Sequence, residues 1–266
     1  MKQVIFTADD FGLCSEVNEA VEEGHTRGVL SAASLMVAAP AAQDAVARAK
    51  RLPRLKVGLH LTLVDGRPLL PPAEIPALAE NSGAFSTDLV SAGIKWFFAP
   101  AARRDLRKEI RAQFEAFRAT GLKLDHVNAH NHMHLHPTVL GMILDLAKEF
   151  GVPAIRLPSE PPQPGLAPWL WLMRKRIRTA GLRINDRLVG YHLTGHLTED
   201  RVLSALDKLQ DGVSEFYFHP AIRSTPALDA AAPGYNRVGE LKALTSRPVA
   251  GRLVALGLNT MGFSDL

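Results

Sequence analysis

Short apolar runs alternate along this chain with longer stretches whose apolar positions recur every three or four residues, the pattern of strands interleaved with amphipathic helices. The runs "QVIFTA" (Gln3–Ala8), "AASLMVAA" (Ala32–Ala39), "LKVGLHLTL" (Leu55–Leu63), "KLDHVNAH" (Lys123–His130), "AIRLP" (Ala154–Pro158) and "SEFYFHP" (Ser214–Pro220), with the shorter "LVGYHL" (Leu188–Leu193), are the predicted strands. Helices are predicted from Ser15, taken as an N-cap, to Val29, then over about 41–52, 102–120, 137–150 and 199–210, with two further short ones near the end. Pro137 stands at the first position of its helix and Gly151 just past its end. Residues 65–100, rich in Pro and Gly, read as long loops with short helical pieces, and 159–190 as a second loop-rich insertion. Short apolar strands separated by helices predict an α/β fold with a parallel sheet, and their number favours closure into a barrel. No linker interrupts the pattern, so residues 1–266 are expected to form one domain.

Composition changes this picture little. The 266 residues are 47% hydrophobic and 22% charged, ordinary for a globular chain with a full core. Cys14 is the sole cysteine, which excludes an internal disulfide and points to a reducing compartment. The start "MKQVIFTADDFG" is no secretory signal, and no apolar run approaches the ~20 residues that span a bilayer, so a cytoplasmic location is expected. A formal charge of only +4 gives no reason to expect a nucleic-acid partner.

Candidate chemistry sits where the strands end, the edge at which parallel α/β folds bind ligands. Asp9 and Asp10 close the first strand, His60 lies in the third, His130 ends the fourth and His219 ends a late one. The stretch "LDHVNAHNHMHLHP" holds five of the ten histidines, four of them at alternate positions. On a straight strand His130 and His136 would lie ~20 Å apart, too far to share an ion at ~2.1 Å bond lengths. The strand must therefore end near His130, which is the expected ligand. His132 and His134 fall in the loop above it as candidates for lining the substrate cleft, and His136 precedes the helix as a cap. One carboxylate and two histidines, Asp10, His60 and His130, form an open ligand set for one divalent ion, with His134 as the alternative third ligand. Zn²⁺ or Mg²⁺ leads among the ions this set admits, ahead of Mn²⁺ and Co²⁺. Because a ligating carboxylate loses basicity, Asp9 is the expected general base and His219 the expected acid. Arg156, just after a strand, is the candidate for binding substrate or a developing oxyanion.

The motifs "TADDFG" (Thr7–Gly12), "GLHLTL" (Gly58–Leu63), "NAHNHMHLHP" (Asn128–Pro137) and "FHPA" (Phe218–Ala221), in this order over most of the chain, resemble the YdjC-like (ChbG-type) carbohydrate deacetylases, and within them the hopanoid-biosynthesis-associated HpnK group. The resemblance implies a distorted (β/α) barrel and metal-dependent removal of acetyl groups from N-acetylated amino sugars. It also implies an Asp–His–His site matching Asp10, His60 and His130, with Asp9 as base. Asn128-Ala129 departs from the Asp-Ser that typical members carry at that point. The HpnK likeness further implies an N-acetylglucosaminyl hopanoid as substrate, and so a membrane-facing surface. "GLAPWLWLMRKRIRTAGLR", with Trp169 and Trp171 ahead of a basic cluster, has the composition for peripheral contact through residues 165–178, and "KWFFAP" (Lys95–Pro100) could add to it. The resemblance also raises the expectation of a homodimer. The competing expectations are a deacetylase of soluble chito-oligosaccharides, a barrel phosphoesterase and a non-catalytic His-rich metal-binding protein.

Overall fold

A computed structural model describes all residues, Met1–Leu266. The six strands β1 (Lys2–Phe11), β2 (Ala32–Leu35), β3 (Lys56–Leu61), β4 (Leu124–Ala129), β5 (Arg187–Val189) and β6 (Gly212–Phe218) form one all-parallel sheet in the order β4-β3-β2-β1-β6-β5. The curl closes through a segment too short to count as a strand. Val127 N donates to Ala154 O (3.0 Å) and Arg156 N to Val127 O (3.1 Å) on one side, while Ile155 N donates to Arg183 O (3.0 Å) on the other. The "AIRLP" run thus joins β4 to the chain entering β5, and the sheet is a distorted barrel.

Ten helices surround it: α1 (Ser15–Arg27), α2 (Ala42–Arg51), α3 (Leu89–Phe98), α4 (Pro100–Ala119), α5 (Pro137–Phe150), α6 (Ala167–Thr179), α7 (Glu199–Asp207), α8 (Pro226–Ala231), α9 (Arg237–Leu244) and α10 (Arg247–Ala255). Three short helices, not two, follow β6. Cys14 rather than Ser15 occupies the N-cap of α1, without a side-chain bond to the helix; Ser15 Oγ donates to Glu16 instead. Two helices, α3 and α6, lie in the stretches read as loop-rich. Asp88 caps α3, accepting from Val90 N and Ser91 N, and inside that helix only Ala92 and Trp96 are buried. With five apolar residues left outside, α3 has no continuous polar face for a periodicity argument to find. Helix α5 ends as expected, with Gly151 at φ +63°.

Alternate residues of each strand face the two sides of the barrel wall. The outer set, with Phe6 stacked on Phe216 (centroids 4.8 Å apart), joins the helices in one core running from Val4 to Leu253. The inner set divides by depth. At the amino ends of the strands Ile5, Ala32, Ala154 and Val213 pack around Phe263 from the C-terminal turn, which has no exposed surface and closes that end. Above this plug the interior is polar, holding Ser34, His126, Asn128, Arg156 and Glu215, all fully buried. Gly58 in β3 leaves the room this packing needs, since a Cβ there would come within 2.5 Å of the His126 ring.

Candidate active site

The carboxyl ends of the strands open into a cavity of about 580 Å³ lined by Asp9, Asp10, His60, His130, His132 and His219 among others. Successive strand residues ordinarily face opposite ways, so two adjacent aspartates should not share a pocket. The pairing of β1 with β2 shows how they do. Ala8 pairs with Ala33 but Phe11 with Leu35, so Asp9–Asp10 carries one extra residue, a β-bulge, and Asp10 takes φ +62°. Aspartate is among the few residues that tolerate this left-handed region.

Asp10 Oδ1 lies 3.2 Å from His130 Nδ1 and 3.6 Å from His60 Nε2. Neither contact has the alignment of a hydrogen bond, and the buried oxygen has no partner. An orphaned carboxylate oxygen costs energy unless something occupies the space before it. The separations match the ~3.4 Å expected between two donors each ~2.1 Å from one tetrahedral ion. The donor set, one oxygen and two imidazole nitrogens, therefore fits a divalent cation, and these are the atoms in the chain that converge for one. His134 is not among them: it is fully buried, its Nδ1 accepts from Ala129 N (3.1 Å), and burial pushes its pKa down to about 3. The histidine row is broken as its spacing required. After β4 ends, Asn131 and His132 take φ of 52° and 53°, so only His130 turns to Asp10. His136 caps α5, its Nδ1 accepting from Thr138 N.

The other aspartate is held quite differently. Arg156 NH2 donates to Asp9 Oδ1 (2.9 Å), NH1 donates to Asp9 Oδ2, and Nε and NH2 donate to Glu215 Oε1 (3.0 and 2.7 Å). Burial alone would raise the Asp9 carboxyl, but the guanidinium, helped by His60 and His219, holds it well below the usual carboxylate range. Arg156 has no exposed surface and its donors are spent on the two carboxylates, so it sits one layer beneath the cleft expected for it. His219 does line the cavity. Burial pushes its pKa down to about 4 against the pull of Asp10 and Asp9, its Nδ1 has no partner, and its backbone N donates to Glu240. His132 also faces the cavity, stacked on Tyr191 (5.5 Å) and edge-on to Tyr217 (5.4 Å).

Several contributors escaped the sequence reading. Arg237, 3.5 Å from Asp10 Oδ2 and 4% exposed, and Tyr235 beside His219 come from the start of α9, where nothing in the local pattern marks a site. Asp65, 3.9 Å from His130 Nε2, was hidden in a Pro/Gly-rich loop. Glu215 did carry a signal, a lone acid inside an apolar strand.

The parallel α/β barrel thus carries at its mouth an Asp–His–His cluster able to hold a metal ion, beside a second carboxylate. The chain belongs to the YdjC-like protein family, whose model matches residues 3–254. It is 30% identical to a carbohydrate deacetylase of Brevibacillus brevis, over 99% of both chains. It is 40% identical to one of Vibrio cholerae, over 99% of this chain and 96% of that one. Among solved structures, a protein of Enterococcus faecalis V583 superposes with TM-score 0.82 at 25% identity, covering 99% of this chain and 98% of that one.

Proposed function

We propose that the chain is a metal-dependent N-deacetylase of an N-acetylated amino sugar, the finest reading being the N-acetylglucosaminyl head group of a hopanoid lipid. The observation that carries the chemistry is the unpartnered Asp10 oxygen between His60 and His130, beside an aspartate that ligates nothing. The relatives' description as carbohydrate deacetylases supports the substrate class. A divalent ion at Asp10, His60 and His130, for which two imidazoles favour Zn²⁺ over Mg²⁺, would polarise the acetyl carbonyl and acidify the attacking water. Arg156 keeps Asp9 ionised and fixed in one rotamer, but also makes it a weak base. Asp9 can therefore take a proton only from a water that is already acidified, which ties its role to the filled site. The amine leaves only when protonated; burial keeps His219 neutral at pH 7, so it must first take up a proton during the reaction, a step that Asp10 and Asp9 favour, before passing it to the amine. Tyr191 and Tyr235, half-buried in the cavity lining, supply aromatic surface for a sugar ring.

The surface around the mouth supports a lipid-linked substrate. Leu89, the first residue of α3, lines the cavity, and the same helix leaves Val90, Ile94, Phe97 and Phe98 at 49–73% exposure. On α6, Trp171 is 63% exposed with Lys175 over its ring. Trp169 is not available to a bilayer, because its Nε1 donates to Leu135 O (2.7 Å) and its ring packs on the core. No helix is long and apolar enough to cross a membrane, so contact would be peripheral. The test compares acetate release from the glycosyl hopanoid in detergent with release from diacetylchitobiose, in wild type and in Phe98→Ser/Trp171→Ser. A selective loss on the lipid is expected; equal turnover of the soluble sugar, unaffected by the substitutions, would assign the soluble substrate instead.

A further inference from the structure

We infer that Asn128 is a positioning residue that sets the tautomer of His60 and the orientation of Asp9 at once, through a hydrogen-bond chain that runs in one direction along the barrel interior. The inference rests on the metal-site reading given above. The register of β3 and β4 places Asn128 beside His60, and His60 Nδ1 meets Asn128 Oδ1 at 2.7 Å. The amide nitrogen of Asn128 donates to Asp9 Oδ1 (3.1 Å) and to Ser34 Oγ (3.0 Å). Reversing the amide would set its oxygen against the Asp9 carboxylate, acceptor facing acceptor, so one orientation alone satisfies the neighbours.

The direction of every other bond follows. Asn128 Oδ1 can only accept, so His60 carries its proton on Nδ1, and the Nε2 lone pair is left facing Asp10. Ser34, having accepted from Asn128, has one proton, which goes to His126 Nε2 (2.9 Å). His126 then holds its own proton on Nδ1 and gives it to Asp125 Oδ2 (2.9 Å). Asp125 also accepts from Phe263 N (3.1 Å) and Ser264 N (2.8 Å), so the chain is anchored in the C-terminal plug. Asp125, His126 and Ser34 have the order of a hydrolytic triad, but Ser34 and His126 have no exposed surface and Ser34 cannot meet a substrate. Their place in the molecule is to hold Asn128. A metal-ligating histidine whose other nitrogen is fixed in this way presents the correct lone pair without reorganisation.

The two ends of one amide can be separated by substitution. Asn128→Asp keeps an acceptor for His60 but replaces the donor to Asp9 with a second anion; Asn128→Ala removes both. Zn²⁺ and Co²⁺ dissociation constants, measured by competition with a chromophoric chelator, are compared with kcat and KM for acetate release, and circular dichroism confirms folding. Asn128→Asp, the acceptor that typical members carry there, is expected to bind the ion within a few-fold of wild type, and Asn128→Ala to bind it ~10–100-fold more weakly and to lose kcat even at saturating ion, because Asp9 loses its amide donor. Wild-type ion affinity or unchanged kcat at saturating ion in folded Asn128→Ala, or ion binding by Asn128→Asp as weak as by Asn128→Ala, would overturn the inference. Failure of the wild type to bind either ion would instead remove the metal-site reading on which it stands.

Discussion

Asp9 and Asp10 are adjacent, equally buried, and yet prepared for opposite work by what surrounds them. One meets a guanidinium and an amide at the edge of the cavity; the other meets two imidazoles and leaves an oxygen bare. The Arg156 ion pairs need not add net stability, since the desolvation of three charged groups offsets much of their attraction. Breaking them is another matter. Arg156→Met leaves Asp9 and Glu215 as uncompensated buried carboxylates and is expected to cost ~3–5 kcal/mol in urea denaturation; a loss under 1 kcal/mol would show that water or another cation reaches them. The histidines give a pH dependence of definite sign. His219 and His134 have folded pKa values pushed down to about 4 and about 3, against 6.5 for the free side chain. For a base depressed in this way, the unfolded chain binds the proton first as pH falls. Stability of the metal-free protein is therefore full above pH 6.5 and falls progressively toward pH 4, and His134→Gln should flatten that slope in thermal melts. Residue types and spacing were enough to locate Asp9, Asp10, His60, His130 and His219 at one mouth. Arg156 was legible as a charge at a strand end but not as a buried partner of Asp9, because pairing across the barrel depends on which strands become neighbours.

At the scale of elements, each polar residue of the interior is placed by a local exception to regular structure. The bulge in β1 turns Asp10 inward, the left-handed pair Asn131–His132 ends the histidine row, and Gly58 clears space for His126. None of these can be read from hydrophobic periodicity, which encodes only the regular part. Gly58→Ala should cost ~1–3 kcal/mol, because a ring held by hydrogen bonds at both nitrogens cannot move aside freely. The C-terminal turn is the other element to test. Phe263→Ala opens a cavity at the closed end of the barrel and should lower stability by ~3–5 kcal/mol in chemical denaturation. The alternation of strands and helices announced the parallel sheet correctly. Helix α3 did not announce itself, because a helix with exposed apolar side chains carries no amphipathic signature.

On the scale of the whole molecule, depth along the barrel axis separates three environments. The bottom is sealed by apolar packing, the middle is a fully buried polar network, and the mouth is a wide cavity carrying the Asp and His side chains and bordered by the apolar side chains of α3. This arrangement keeps charged groups that must not move away from solvent, and brings those that meet substrate to the surface. The reaction proposed at the mouth is removal of an acetyl group with a divalent ion held by Asp10, His60 and His130. The most direct measurement is acetate release from an N-acetylglucosamine-terminated substrate by wild type and Asp10→Ala, each after chelation and again after Zn²⁺ addition, with bound metal counted in parallel. One ion per chain and activity restored by Zn²⁺ are expected in the wild type under this proposal, and neither in Asp10→Ala. Undiminished acetate release from the chelated, metal-free wild type would contradict it.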